Sequence, residues 1–382
     1  MEKQKICIIG GSLTGLVTAI ALSKLNCHID LIATKNIKNE RSNRTIAISE
    51  DNLDFLEKLN ISKSLKRDLW PCPEMKLYAE NNKEEFEEIF EINNTKKNKQ
   101  ALYMSENSKL FKLMMNKIKY TKSIILKKDE QVLDIMNKGL LKKVKTNKSN
   151  NSYSLVILCV GHNSNLVKNI FKNGTIQKSY NELAITINLK HSSTKNNIAR
   201  QIFFKNEILA MLPISKTKTS IVWSIKNNFK KKNEILFKKQ IKKYVKKYLR
   251  NITYASNLEY KDLNYLIRDK YHLDRTLLFG EALHVIHPFV GQGFNMTLRD
   301  LASLKKILKK KVDLGMDVGS PDILSEFSNE VKPRNFMFSI GVNLIKNSLS
   351  YNKIRDKLFK ILNKSNLTKN IFFKIANEGL KF

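Results

Sequence analysis

The sequence predicts an α/β chain of two interlocked domains, one Rossmann-like and one built on an antiparallel sheet, closing in helices. Three observations predict it. Residues 1–33 read strand, glycine turn, helix, strand; the middle of the chain alternates apolar and polar residues; the last part returns to helical spacing. At 382 residues the chain is long for one core and short for three domains. The pattern assigns 1–70, 98–175 and 270–335 to the Rossmann-like domain, 71–97 and 176–269 to the sheet domain, and 336–382 to a C-terminal helical region.

The elements follow in order. "KICIIG" is a short apolar strand, "TGLVTAIALSKLN" has helical spacing, and "HIDLIA" is a second strand, which together make a βαβ opening. "DNLDFLEKLNI" reads as a helix with an Asp or Asn start, placing Leu53, Leu56 and Leu59 on one face. "EMKLYAE" and "EEFEEIFEI" alternate as strands leaving the first domain. The loop "NNTKKNKQ" precedes a helix at "ENSKLFKLMMNKI". Strands are expected at "SIILKK", "EQVLDIM", "LLKKVKT" and "YSLVILCVG", and an antiparallel sheet from "NELAITINL" through "SIVWSIK". In "NEILFKKQIKKYVKKYL", Phe237, Ile241, Tyr244, Val245 and Tyr248 recur at helical spacing. They predict a helix facing a core, with its lysines in water.

Composition narrows the class. Hydrophobic residues make up 42% of the chain, yet no uninterrupted apolar run approaches the roughly 18–20 residues of a membrane span. "MEKQKICIIGG" enters a strand directly, without signal-peptide architecture, so a cytoplasmic protein is expected. Cys7, Cys27, Cys72 and Cys159 form no Cys-x-x-Cys and read as reduced packing residues. The net charge is +34, but only ten of the 69 basic residues are arginine and the lysines are dispersed. With no helix-turn-helix, zinc-finger or RNP pattern, no nucleic-acid partner is expected. Attraction to an anionic membrane surface remains open.

Two glycine-bearing stretches carry chemistry. "GGSLTG" matches G-x-G-x-x-G at Gly10 and Gly15, with Ser12 at the middle position. In a dinucleotide site the glycines make the turn, admit the pyrophosphate and let helix and strand pack, while the helix start supplies N–H groups. The acid expected at the end of the second strand is absent; Ala33 stands there. The second stretch is "GEALHVIHPFVGQGFNMTLRD", Gly280 to Asp300. A metal reading of Glu281, His284 and His287 fails, because no other histidine has a glutamate three residues before it and Pro288 breaks the helix such ligands need. An anion reading fares better. Gly291 and Gly293 leave N–H groups uncovered before a helix at "FNMTLRDLASLKKIL", and a backbone without Cβ can approach a flat ring.

"LLFGEALHVIHPFVGQGFNMTLRDLASL" resembles the second FAD fingerprint of the flavin-dependent aromatic hydroxylases, in particular the ubiquinone-making UbiH/UbiF type. Other segments agree in order: "IIGGSLTGL" with the first FAD motif, "NRTIAISEDNLDFLEKLNI" with the arginine-containing segment, and "MSENSKLFKLMM" with the Glu-Asn helix start. "ILAMLPIS…SIVWSI" is similar to the sheet domain and "IFFKIANEG" to the C-terminal end. The resemblance implies a para-hydroxybenzoate-hydroxylase-like fold in which an FAD-binding domain interleaves with a substrate-binding sheet domain. It implies that Gly10, Ser12, Leu13 and Gly15 hold the FAD pyrophosphate and that Arg44 contacts FAD. Glu281 stands where an aspartate or asparagine usually reaches the ribityl chain. Gly291, Gln292, Gly293, Phe294 and Asn295 match the loop beside the isoalloxazine. His287 and Pro288 fall near flavin and substrate, or His287 simply hydrogen-bonds the loop.

Three positions depart from the family pattern. Ala33 replaces the ribose acid, Ser108 a commonly basic or amide residue, and Val160 the aspartate of Asp-Gly-x-x-Ser, here "CVGHNS". The last bears on NAD(P)H use more than on FAD binding. The implied activity is that of a class A FAD monooxygenase. NAD(P)H or another donor reduces FAD, O₂ adds at C4a, and the hydroperoxide passes OH to a polyprenylated phenol in ubiquinone biosynthesis. Such a phenol needs a proton acceptor, which the sequence does not identify. "RNFMFSIGVNLIKNSL" and "NLTKNIFFKIANEGL" are candidate amphipathic helices for docking to a membrane or to partners in a quinone-biosynthesis complex. Competing readings are a hydroxylase of another aromatic, or a non-catalytic subunit that binds FAD or prenyl-phenol.

Overall fold

The computed structural model describes residues 3–34, 42–81, 85–93, 99–172, 174–227, 233–288 and 291–349. β1 (Gln4–Ile9), α1 (Leu13–Leu22) and β2 (Cys27–Ala33) form the expected βαβ opening. β3 (Thr45–Ser49), α2 (Glu50–Lys58), α3 (Leu65–Asp68) and β4 (Trp70–Cys72) follow, then the paired strands β5 (Glu74–Glu80) and β6 (Phe86–Asn93). The chain returns through β7 (Leu102–Glu106), α4 (Asn107–Lys119) and β8 (Ile124–Lys128). The meander β9 (Val132–Lys138), β10 (Leu141–Thr146) and β11 (Asn150–Tyr153) then leads to β12 (Leu155–Leu158). After α5 (Asn165–Ile170) come the long β13 (Thr175–Lys190), β14 (Ile198–Phe203), β15 (Ile208–Ser215), β16 (Lys218–Lys226) and α6 (Glu234–Val245). β17 (Thr253–Tyr254), β18 (Glu259–Arg268), β19 (His272–Leu273) and β20 (Thr276–Leu278) lead through a single 3-10 turn at Gly280–Ala282 to β21 (His284–Val285). α7 (Gln292–Asp313) and α8 (Pro321–Leu349) end the described chain.

The first sheet runs β19-β20-β12-β1-β2-β8, with β1 parallel to both β12 and β2. Its central strands are apolar on both faces, as a parallel sheet covered by helices requires: Ile6 to Ile8 and Leu155 to Leu158 are fully buried. The second sheet runs β21-β18-β13-β16-β15-β14-β5-β6, with β17 pairing β13 at the side. Sequence-distant strands therefore share one surface, and β21, from the stretch expected in the first domain, joins its edge.

The second sheet explains its own alternation. Leu183, Ile185 and Ile187 of β13, Ile221, Trp223 and Ile225 of β16, and Leu209 and Met211 of β15 point one way, into a core with Phe237, Ile241 and Val245 of α6. The stripe read along residues 233–249 is thus core-facing, with Tyr244 and Tyr248 at its margin. The intervening residues face the other way.

Two starts differ from expectation. Ser49 rather than an Asp or Asn occupies the N-cap position of α2, without a side-chain capping bond, and Glu50 and Asp51 lie in its first turn, where negative charge suits the helix dipole. α7 begins at Gln292, before the expected "FNMTLRD", because Gly291 takes the left-handed conformation (φ +63°) that ends the loop. All four cysteines are buried and free. Burial pushes the Cys159 thiol up to about 12 and raises the other three, so they are packing groups rather than nucleophiles. Among the described residues no helix is long and apolar enough to cross a membrane. The segment 334–349 forms the end of α8, where Phe336, Met337, Ile340 and Leu344 are exposed while Phe338 and Val342 are buried. The segment 366–380 lies outside the described residues.

Candidate active site

The first glycine corner is built on contact. Gly10 sits at φ +133°, and a Cβ there would lie 2.3 Å from the Cys159 carbonyl oxygen. At Gly15 a Cβ would lie 1.8 Å from the Gly10 carbonyl oxygen. The helix α1 can therefore close onto the turn only with glycine at both positions. Ser12 is the N-cap of α1, but its side chain makes no capping bond and the first turn holds no acid. The helix start thus presents unclaimed N–H groups and positive dipole. Ala33 and Val160 supply no polar group: Ala33 is buried, and a Cβ on Gly11 would reach its Cβ at 2.7 Å, while Val160 packs against the main core.

The second corner approaches the first. Gly280 (φ +63°) lies so close to Thr14 of α1 that a Cβ would sit 2.6 Å from the threonine methyl. Downstream, α7 also starts without a side-chain cap and without an acid in its first turn. Asn295 fixes that start: its Oδ1 accepts from the Ser49 N–H and the Asn52 amide, each at 3.0 Å, and its Nδ2 donates to the Ala47 carbonyl at 2.8 Å. At Gly293, by contrast, an added Cβ would meet nothing within 4 Å.

That open space belongs to a cavity of about 310 Å³, within the usual range for small-molecule sites. Thr14, Arg44 to Ala47, His162, Glu281, Gly291, Gly293, Phe294 and Thr297 line one side. The opposite wall is the free face of the second sheet: Ala184 and Thr186 of β13, Val222 and Ser224 of β16, Ile208, Ala210 and Leu212 of β15, Ala199 and Gln201 of β14. Register explains the layer, since Ala184 pairs Ser224, Val222 pairs Ala210 and Ala210 pairs Gln201. Small side chains dominate this face while Ile, Leu and Trp fill the other. The wall is therefore set back and mainly apolar; Thr186, Ser224 and Gln201 are polar members of it, and the buried Oε1 of Gln201 has no hydrogen-bond partner.

Charge is placed sparingly. Arg44 is exposed on the cavity wall, and no carboxylate among the described residues forms a salt bridge with it. Its backbone is anchored where the Asn107 N–H donates to the Arg44 carbonyl at 2.8 Å, and the Glu106 beside it reaches Lys218 of β16 at 2.6 Å, tying the two sheets' surroundings together. Glu281 lies 3.4 Å from Lys261. Partial burial pushes its carboxyl up, but Lys261, with Arg44 and His162, outweighs this and leaves it below the ordinary range. His162 follows Val160 closely in the chain and lines the cavity with a buried Nε2 that has no partner; burial, reinforced by Lys261 and Arg268, lowers its pKa.

His287 is almost fully buried and its Nε2 lies 3.0 Å from Glu182 of β13, so it is not merely a ligand of its own loop. His284 pairs with buried Asp300 at 2.9 Å, and Asp300 is also bonded by Arg334 and Asn335 of α8. These histidines are tied to carboxylates on different elements, and no metal-binding cluster occurs among the described residues.

Of the expected residues, Arg44, Glu281, His287, Pro288, Gly291, Gly293 and Phe294 line the cavity. Gly10, Ser12, Leu13 and Gly15 lie behind Thr14 and shape the turn, and Gln292 and Asn295 are buried in the first turn of α7. His162, Lys261, Gln201, Glu182 and the sheet wall were not singled out from sequence. His162 stands inside the "CVGHNS" segment already in view, whereas the others are brought in only by strand pairing. The residues fit FAD. Two uncapped helix starts and the Arg44 charge on the cavity wall suit the phosphates, and the open face at Gly293 leaves room for a flat ring beside α7.

Comparison with known proteins agrees with the geometry. A family model described as "FAD binding domain" matches residues 3–334. The ubiquinone biosynthesis monooxygenase COQ6 of Dictyostelium discoideum is 21% identical over 97% of this chain and 90% of its own length. COQ6 of Xenopus tropicalis is 27% identical over 50% of this chain, and the match spans 49% of that protein. The ubiquinone hydroxylase UbiL of Rhodospirillum rubrum is 26% identical over 41% of this chain and 38% of its own length. In fold, the chain superposes on p-nitrophenol 4-monooxygenase of Pseudomonas putida with a TM-score of 0.81 at 13% identity, covering both chains fully. It superposes on a Klebsiella pneumoniae HpxO variant complexed with FAD with a TM-score of 0.79 at 12% identity, covering 98% and 99%. The expected fold class, an α/β domain interleaved with an antiparallel sheet and followed by helices, is the one observed.

Proposed function

The chain belongs to the FAD-binding domain family, and from that premise we propose that it is an FAD-dependent monooxygenase hydroxylating the ring of a polyprenylated phenol in ubiquinone biosynthesis. The observation that carries this reading is a single cavity with unlike walls. On one side stand an uncapped helix start and the open face of Gly293; on the other, a set-back apolar sheet face of Ala184, Ala199, Ala210 and Val222.

FAD, when bound and reduced, supplies the oxygen-activating chemistry at its C4a carbon. The protein's own residues do the rest. The α1 start and Arg44 would hold the anionic end of the cofactor, and the α7 start would stabilise negative charge on its ring. The apolar wall excludes water, which would otherwise compete for the activated oxygen. Gln201, buried with an unpartnered carbonyl, is placed to accept a hydrogen bond from a substrate hydroxyl. Met75, Leu102, Leu212 and Ile286 extend the lining with aliphatic surface suited to a prenyl chain.

Electrons come from NAD(P)H or from a separate donor; Val160 supplies no carboxylate to support the former directly. The test is anaerobic mixing of the FAD-loaded protein with NADH or NADPH, with 2-geranylphenol present and absent, followed by admission of O₂ and mass analysis. Bleaching of the flavin band and one added oxygen atom in the phenol are expected. A protein that takes up no FAD sinks the reading. One that stays yellow under every donor, and forms no product, favours a non-catalytic binding subunit.

A further inference from the structure

A hydrogen-bonding group buried without a partner destabilises a fold, and a ligand that supplies the partner removes the penalty. Gln201 is such a group in the sheet wall. We infer that Gln201 selects the substrate by charge, taking a ring whose polar substituent is a neutral hydroxyl and refusing a ring that carries a carboxylate. This rests on the phenol-hydroxylase reading above and adds to it which phenols enter.

Gln201 is 2% exposed, lines the cavity from β14, and has no hydrogen-bond partner for its Oε1. Its cross-strand neighbours cannot supply one. Ala210 of β15 stands on one side and Leu77 of β5 on the other, and Ala199, two residues earlier, pairs with Met75. Met75, Leu77, Leu102 and Ala199 belong to one apolar cluster. The cations of these two strands turn to the other face: Arg200 lies over the Tyr248 ring on the α6 side, and its partner Lys76 bonds Glu88. An amide, with one acceptor and two donors, thus stands in hydrocarbon surroundings.

The free cations of the cavity gather at its far end. Lys261 is on β18, four strand spacings or roughly 19 Å across the sheet from β14. It bonds Glu281 at 3.4 Å, and Glu281 also interacts with Arg44 and His162. Arg44 is held at that end because the N–H of Asn43, the residue before it, donates to Glu259 of β18 at 2.7 Å. Asp262, next to Lys261, adds negative charge to the lining. His284 and His287 face carboxylates of their own, Asp300 and Glu182. Among the described residues, the β14 end of the cavity therefore holds no unpaired cation.

The two halves together make a selection rule. A phenol hydroxyl donates to Gln201 Oε1 while its ring and prenyl chain keep to the aliphatic lining, so the carbonyl gains its bond and no charge is buried. An ether in place of the hydroxyl fills the same space and leaves the carbonyl unpaired. A carboxylate on the ring loses its water shell on entering and finds no counter-charge. Even on the ring edge away from the hydroxyl it falls short of Lys261, because a benzene ring spans well under half of the distance between β14 and β18. A missing counter-charge rejects a ligand as effectively as a clash does.

The test measures binding to the FAD-loaded full chain, through the change in the flavin spectrum, of 2-geranylphenol, its methyl ether and 3-geranyl-4-hydroxybenzoate. At pH 8 the ether should bind roughly thirtyfold more weakly than the phenol, and the carboxylate roughly a hundredfold more weakly or worse. Because only the neutral acid enters, its apparent affinity should rise about tenfold for each unit the pH falls from 8 to 6, while that of the phenol stays level. Gln201→Leu should bind phenol and ether alike, and its FAD-free Tm should equal or exceed that of the wild type, since an unpaired carbonyl has gone. Gln201→Asn, which keeps the amide, should retain part of the preference. Equal binding of phenol and ether by the wild type, or an unchanged preference in Gln201→Leu, would overturn the role of Gln201, while hydroxylation of 2-geranylphenol would keep the hydroxylase reading standing. A carboxylate bound as tightly as the phenol at pH 8 would overturn selection by charge. A wild type that prefers the phenol to its ether and forms no product would leave the selection standing and overturn the hydroxylase reading. Failure to bind any of the three would sink both.

Discussion

The two glycine corners use one residue type for opposite reasons. At Gly10 and Gly15 a side chain is forbidden because protein already occupies the place: carbonyl oxygens stand 2.3 and 1.8 Å from where a Cβ would be. At Gly293 the place is vacant, with nothing within 4 Å. The first corner serves assembly of strand and helix; the second keeps room for something that is not protein. A glycine motif therefore reports function only once its surroundings are known.

Substitutions can break or sharpen this contrast. Gly15→Val should have the largest effect, a loss of several kcal/mol (about 4) that removes soluble folded protein, because backbone and not a flexible side chain stands in the way. Recovery of a folded variant with a wild-type Tm would refute the assembly role. Asn295→Leu leaves the Ser49 N–H and the Ala47 carbonyl without their partner in a fully buried place, and should cost about 2–3 kcal/mol in denaturant titration. Gly291→Ala must hold a left-handed backbone at φ +63°, with Ala47 in tight contact, and should cost about 1–2 kcal/mol. Gly293→Val should change the stability of the FAD-free protein by no more than about 0.5 kcal/mol yet abolish its yellow colour. Stoichiometric FAD in that variant would contradict the vacancy.

Acid gives the gentlest probe. The first corner, Gly10 to Gly15, holds no titratable side chain, whereas the second is pinned through His287. His287 has a folded pKa below its ordinary 6.5, so below that pH the unfolded chain binds more protons and stability falls as pH falls. Tm should therefore decline between about pH 7 and 5, and His287→Gln should flatten the decline. An equally steep decline in the variant would assign the effect elsewhere, to His162 or His272, whose pKa values burial also lowers.

What could be read in advance follows from range. The βαβ opening, the α6 stripe and both glycine turns make demands within a few residues, so spacing and glycine betray them. Arg44, Glu281 and Gly293 came from motif resemblance, and the structure brings them to one cavity. Glu182 stands 105 residues from His287, and Lys346 of α8 stands 164 from Glu182, joined by a strand slip and a helix docking that no local pattern encodes. The sheet wall is an intermediate case. "LAITINL" and "SIVWSIK" alternate small with large residues, which marks two unlike faces without saying which one borders a cavity. Asn295, expected in the loop beside the ring, lies buried in the first turn of α7, and its side chain ties that turn to Ser49 and Ala47 of β3, which no local pattern reveals.

The division of the second sheet into a large-residue face under α6 and a small-residue face over the cavity has an evolutionary consequence. Exchanges among Ala184, Ala199, Ala210 and Ser224 would alter the room in the cavity while leaving the packing of Ile185, Trp223 and Phe237 intact. Descendants of this chain can drift in what they accept without first surviving a loss of folding, and a breeder of new specificities would begin mutating there.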